Sequence, residues 1–399
     1  VNRNSVHLIF HLAIAAFDNS NSGSMNNISN NNSSQATFQW QRAVIKVGSA
    51  LIAPDGNQCS AQYLLAIARF ITESRSQGKE VVLVSSGSVA AGRSSVPTHH
   101  QPSIAEKQAM AAIGQTRMMA NWARFFDSAC AQILLTYDDL RSRARYVNIQ
   151  NTLRELLAHG AIPIVNENDS VAVNELKVGD NDNLGAYTAL VAQADTLIIC
   201  SDIDGLYTAD PRKNPNATLI PEVHQLTPEI HQLAGGAGSA VGTGGMKTKL
   251  EAAEKCSQSG IQTLIVNGRK GDVFNSLLAG KVQGTIFRSQ QTQANARSLW
   301  LKHTLKNAGQ LEVDAGAKRA ITERGASLLP SGIVAVLGQF NVGEAVQIVH
   351  NQQVIAKGLS LYSAQDLNAI KGLQSESIAP TIGYTYGEAV IHRDDMILI

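Results

Sequence analysis

The chain has 399 residues, 44% of them hydrophobic and 16% charged, with a formal net charge of +1. At ~100–200 residues per domain this length predicts two or three domains, each with its own core. A near-neutral balance supplies no global field to gather polyanions or an anionic membrane, which argues against a nucleic-acid-coating protein.

Taken in chain order, Ser5–Phe17 is a 13-residue apolar run, shorter than the ~20 residues that span a bilayer and preceded by one basic residue, Arg3. It is at best a weak signal peptide. Asn and Ser dominate Asp18–Ala36, a composition that buries too little apolar surface to order itself. Met25 lies inside it as a candidate start, which would make residues 1–24 upstream sequence. Residues 1–40 are therefore expected to be a disordered leader.

After Gln41, short apolar runs alternate with helical segments. Ala43–Val47, Val81–Ser85, Gln132–Thr136, Ala161–Val165, Leu197–Cys200 and Thr263–Val266 read as buried strands. Between them, Leu64, Ile67, Ala68 and Ile71 repeat at helical spacing and predict an amphipathic helix over 60–74 with Ser60 as N-cap. Strands apolar on both faces, separated by helices, predict a three-layer α/β sandwich with a mostly parallel central sheet over 41–288. In such sheets ligands sit beyond the carboxyl ends of the strands. The polar stretch 289–308 reads as a linker. Beyond it, runs at Ile333–Leu337, Ala345–Val349, Gln353–Ile355 and Ala389–Leu398, broken by glycines, predict a small mostly β module over 309–399.

Four cysteines, Cys59, Cys130, Cys200 and Cys256, are widely spaced. They form neither a disulfide framework nor a zinc cluster and suggest reduced thiols of a cytoplasmic protein. His99-His100 has no third ligand at metal spacing.

The residues that could carry chemistry follow strands. Lys46 and Gly48 end the first strand, and Ser85-Ser86-Gly87-Ser88 ends the second with side chains small enough for close backbone approach. Asn166-Glu167-Asn168-Asp169 follows a third, and Gly179-Asp180-Asn181-Asp182-Asn183 precedes a helix. In the latter, Asp182 or Asn183 suits an N-cap, or the cluster holds a substrate's charged groups. Gly235–Gly245 holds six glycines before a helix over 246–259. It is either a mobile surface loop or a phosphate cradle, and Lys247 and Lys249 in the first helical turn favour phosphate.

Six segments occur together in order: Val44–Ser49, Val84–Gly87, Asn166–Asp169, Lys177–Leu184, Ser201–Pro211 and Gly242–Lys249. This ordered set resembles the glutamate 5-kinases of the amino acid kinase family. Val313–Ala317, Ser327–Pro330 and Gly338–Phe340 are similar to the PUA domain that many of them carry. Ser88 departs from the family's more usual alanine. The resemblance implies transfer of the γ-phosphoryl of ATP to the side-chain carboxylate of L-glutamate, with Mg²⁺ held mainly by phosphates and water. It assigns Lys46, Lys249 and Asp182 to catalysis, with Asp182 holding the two lysines. Ser86, Asn166, Asp169 and Asn181 map to the glutamate site. Lys46, Gly48, Gly87, Ser201, Asp202, Gly244, Gly245, Met246 and Lys249 map to the nucleotide site. It further implies feedback inhibition by proline through the loop around Leu140–Tyr146, a homodimer or homotetramer, a downstream glutamate 5-phosphate reductase, and no membrane partner.

Two other readings remain. An N-acetylglutamate kinase shares the fold and phosphate chemistry but usually lacks a PUA module. An RNA-binding role through that module is disfavoured by six bases against nine acids over 309–399. If Asp182 organises the lysines, Asp182→Asn is expected to cost at least tenfold in activity, the equivalent of ~1.4 kcal/mol, with little change in thermal midpoint.

Overall fold

A computed structural model describes residues 36–172, 181–234, 245–289, 292 and 307–399. The leader up to residue 35, residues 173–180, most of the Gly-rich stretch and most of the linker lie outside the described residues, as do the expectations placed on them.

The first half begins with β1 (Arg42–Val47), α1 (Ser49–Ile52), α2 (Leu64–Ser76), β2 (Glu80–Ser85) and α3 (Ser88–Gly92). It continues through α4 (Ile104–Ala123), β3 (Cys130–Leu135), α5 (Tyr137–Arg141), α6 (Arg143–Ala158) and β4 (Ile162–Glu167). Next come α7 (Asn181–Val191), β5 (Thr196–Ser201), β6 (Glu222–Val223), α8 (Pro228–Ala234), α9 (Met246–Gln258), β7 (Gln262–Asn267), α10 (Gly271–Leu278) and β8 (Gly284–Phe287). The eight strands form one sheet in the order β3-β4-β2-β1-β5-β7-β8-β6. All neighbours run parallel except β7 and β8.

Alternation along β1 divides its side chains between two cores. Ala43, Ile45 and Val47 join the cluster built with α2, α4 and α10, through residues such as Phe70, Trp122 and Phe274. Val44 joins the opposite cluster, with Leu184 and Ala189 of α7 and Leu250 and Ala253 of α9. By the period of two, Lys46 shares the face of Val44. Its direction toward α7 and α9 is therefore set by the strand pattern.

The strand order also locates the cleft. The chain leaves β1 for β2 on one side and occupies β5 on the other, so the order reverses at β1. Gly48, Ser86, Asn166 and Ser201 lie at the carboxyl ends of the strands around that point, where an open α/β sheet receives ligands.

The second half holds β9 (Gly309–Val313), α11 (Ala315–Arg324), β10 (Ile333–Gly338), β11 (Ala345–His350), β12 (Gln353–Leu359), α12 (Ala364–Ile370), α13 (Ile378–Ile382) and β13 (Met396–Leu398). Its five-stranded sheet has the order β10-β9-β11-β12-β13, mostly antiparallel. Val147 of α6 is buried in this module's core, and the Arg154 guanidinium, also on α6, lies 3.4 Å from the Asp395 carboxylate. The small module thus docks on the helix that follows α5.

Several expectations need correction. Residues 36–40 are not leader: Phe38 and Trp40 are buried in the main core, and the Phe38 N–H donates to the Gly280 carbonyl at 3.0 Å. Ser60 does not cap a helix, because α2 starts only at Leu64 and the Ser60 hydroxyl accepts from the Gln62 N–H instead. The segment Leu140–Tyr146 is not a loop but the junction of α5 and α6 at Ser142, with Thr136 and Asp139 forming a capping box before α5. Of Ala389–Leu398 only Met396–Leu398 is strand. The short strands β6 and β8 were not legible, being two and four residues long.

Candidate active site

Three ionic side chains meet where β1, α7 and α9 converge. Asp182 lies in the first turn of α7 and Lys249 in the first turn of α9. Lys46 Nζ is 2.6 Å from Asp182 Oδ1 and Lys249 Nζ is 2.9 Å from Asp182 Oδ2. The Thr248 hydroxyl is 2.8 Å from the same Oδ2. Gly185 lets α7 pack close to β1: a Cβ there would stand 3.3 Å from Lys46 Cβ and 3.4 Å from Leu197 Cδ1, a fit its neighbours would have to ease by a few tenths of an ångström.

The cluster is dry. Asp182 is 1% exposed, Lys249 3% and Lys46 6%. Burial alone would raise the Asp182 pKa, but the Lys46 ammonium and then that of Lys249 overcome it and hold the carboxyl well below the usual carboxylate range. Burial pulls the Lys249 ammonium below an ordinary lysine, and repulsion from Lys46 adds to this against the attraction of Asp182. One carboxylate cannot neutralise two ammonium groups, so these three side chains together carry a surplus positive charge. An anion arriving beside them relieves it.

On the β2–β4 side, the Asn181 amide donates to Asn166 Oδ1 at 3.1 Å and reaches the Ser85 carbonyl at 3.4 Å. Asn166 is buried at the end of β4. Ser86 is also buried, and its hydroxyl makes no hydrogen bond among the described residues. A buried hydroxyl left without a partner is costly unless a ligand or water completes it. Asp169, in the loop after β4, accepts from the Ser88 hydroxyl at 2.5 Å.

On the β5–β7 side, the Ser201 hydroxyl contacts Asp202 Oδ1 at 3.3 Å, and Asp202 lies 3.8 Å from Arg269. Asp204 ties the loop after β5 to the end of β7, through Lys270 at 2.6 Å and the Asn267 amide at 2.9 Å. Lys270 and Asn267 are the stronger influences that hold the Asp204 carboxyl below its ordinary value against the effect of burial.

A model of the amino acid kinase family matches residues 41–267, and a model of the PUA domain matches residues 309–381. A glutamate 5-kinase from Idiomarina loihiensis is 56% identical over 363 residues, covering 90% of this chain and 98% of that protein. Another from Salinibacter ruber is 53% identical, covering 90% of this chain and 97% of its own length. A third, from Xanthomonas oryzae pv. oryzae, is 49% identical over 89% of this chain and 100% of its own. The chain belongs to the amino acid kinase family.

Within this amino acid kinase frame, the structure brings Lys46, Asp182 and Lys249 together, and Ser86, Asn166 and Asn181 beside them. Ser201 and Asp202 lie at the end of β5, whereas Gly245 and Met246 open α9. Gly244 lies outside the described residues. The Gly48 N–H donates to the Cys200 carbonyl at 3.1 Å, and a Cβ at this glycine would make ordinary contacts, 3.4 Å from that carbonyl and 3.9 Å from Lys46 Nζ. Gly87 adopts φ +91° in the left-handed region, and a Cβ would stand 3.0 Å from Ile52. Asp182 is not the N-cap of α7, since its carboxylate is bound by the two lysines and Thr248. Thr248 was missed although it separates the two lysines of Met246-Lys247-Thr248-Lys249. On a helix it lies one residue from Lys249, and only the position of Asp182 reveals its role.

Proposed function

We propose that this amino acid kinase transfers the γ-phosphoryl group of ATP to the side-chain carboxylate of L-glutamate, forming L-glutamate 5-phosphate in the first step of proline biosynthesis. The observation that carries the reading is the buried Lys46–Asp182–Lys249 cluster at the carboxyl ends of the strands, in a chain whose relatives are glutamate 5-kinases along nearly their whole length. A carboxylate of pKa ~4.3 is ionised at neutral pH and needs no general base. The difficulty is to bring two anions together, so catalysis is positioning and charge stabilisation. A glutamate carboxylate oxygen attacks the γ-phosphorus, the bond to the β–γ bridging oxygen breaks, and ADP leaves.

In this reading Lys46 and Lys249 bear on the transferring phosphoryl and Asp182 keeps them parted and aimed. Ser86, Asn166, Asp169 and Asn181 hold glutamate, with the Asp169 carboxylate suited to its ammonium. Gly48, Gly87, Ser201, Asp202, Gly244, Gly245 and Met246 border the nucleotide. A Mg²⁺ held mainly by the ATP phosphates and water would neutralise part of their charge. The acyl phosphate is labile, so a reductase that consumes it is the expected next enzyme. No helix among the described residues is long and apolar enough to cross a membrane.

The test is ADP release from ATP with L-glutamate, N-acetyl-L-glutamate or UMP as acceptor. Release with L-glutamate alone is expected; preference for either other acceptor overturns the reading. The resemblance to glutamate 5-kinases implies that proline competes with glutamate, and the α5–α6 junction it implicates follows β3, the neighbour of β4, whose carboxyl end carries Asn166. Saturating glutamate should then abolish proline inhibition, and fractional inhibition that persists would exclude a shared site.

A further inference from the structure

We propose that Ser88 is a positioning residue for the amino-acid substrate, holding the Asp169 carboxylate in the orientation that receives the substrate's ammonium group. The inference rests on the reading above, in which Asp169 faces that ammonium.

Ser88 is 3% exposed, and its hydroxyl donates to Asp169 Oδ2 at 2.5 Å. Its place in space is fixed by backbone contact. A Cβ on Gly114 of α4 would lie 1.8 Å from the Ser88 carbonyl oxygen, and one on Gly92 of α3 would lie 1.9 Å from the Met110 carbonyl oxygen. Two glycines thus let α3 and α4 touch main chain to main chain. The donor is therefore rigid, whereas its acceptor sits in a loop. A hydrogen bond from a rigid element to a loop carboxylate removes rotamers that would otherwise be lost when the substrate binds.

This arrangement acts on ground-state binding of the amino acid and leaves the phosphoryl-transfer machinery alone. Ser88→Ala should raise KM for glutamate about five- to tenfold, the scale of one ordinary intramolecular hydrogen bond. It should leave kcat within about twofold and KM for ATP unchanged. Ser88→Cys keeps the branching of the side chain but is bulkier and a weaker donor, and should raise the same KM. The decisive measurement is a double-mutant cycle with Asp169→Ala. Asp169→Ala alone should raise KM for glutamate more than Ser88→Ala does, and adding Ser88→Ala to it should change nothing further. If Ser88→Ala has no effect, or the same multiplicative effect in both backgrounds, the positioning role is overturned while the reading of Asp169 stands. If Asp169→Ala leaves KM for glutamate unchanged, the assignment of Asp169 falls, and with it the inference.

Discussion

Replacing Lys46 or Lys249 by alanine should lower kcat by about two to three orders of magnitude, the cost of removing one preorganised group from a developing negative charge. Glutamate KM should stay within about threefold, because neither ammonium faces the amino-acid end of the cleft in this reading. The two variants should fold, since each leaves Asp182 with a remaining lysine at 2.6 or 2.9 Å. A second readout is the pH profile. The Lys249 ammonium lies below an ordinary lysine, mainly through burial. As pH rises through that lowered pKa the charge is lost, so kcat/KM for ATP, which reports the free enzyme, should fall on its alkaline side below pH 10.5, the ordinary value. The residual activity of Lys249→Ala should lack that limb. Near-normal turnover in either alanine variant would remove the cluster from catalysis.

Asp182→Asn should lower kcat by at least two orders of magnitude and destabilise the protein as well. The sequence reading expected the thermal midpoint to hold, because asparagine caps a helix about as well as aspartate. The buried geometry revises this. The variant leaves two ammonium groups facing each other with 3% and 6% exposure and no carboxylate between them. Breaking a buried ion pair from one side costs about 3–5 kcal/mol. The cost is reduced because Lys249, already below its ordinary pKa, can release its proton, and the neutral amine then no longer serves the phosphates. Nucleotide supplies the missing negative charge, so ATP should raise the midpoint of the variant more than that of the wild type. The sign with pH follows from the depressed carboxyl. Asp182 contributes its full stabilisation above its unfolded value near 3.8 and loses it as pH falls through the lower folded value. The stability difference between wild type and Asp182→Asn should therefore shrink below about pH 4. Unchanged kcat in the variant would return Asp182 to the role of a local helix residue.

The sequence alone determined the mostly parallel sheet, because strands buried on both faces must be apolar throughout, and Val44–Val47, Val81–Val84 and Leu197–Cys200 are so save for Lys46. That exception was itself legible: a lysine near the end of such a strand costs desolvation unless an anion or solvent meets its ammonium, and the resemblance to glutamate 5-kinases supplied its partners. Local capping preference misplaced the start of α2 and offered Asp182 as a helix cap, since a cap is judged from neighbours in sequence while the carboxylate answers to side chains 136 and 67 residues away. Residues 36–40 looked like leader because composition averages over a window, whereas burial of Phe38 and Trp40 depends on packing against distant segments such as Phe70 of α2. Only the tertiary structure decided that Thr248 joins the lysines on Asp182, that Ser88 reaches Asp169, and that α6 carries the small module through Val147 and Arg154. Each is a contact across long sequence separation, set by how helices pack on the sheet, and no periodicity within one segment encodes it.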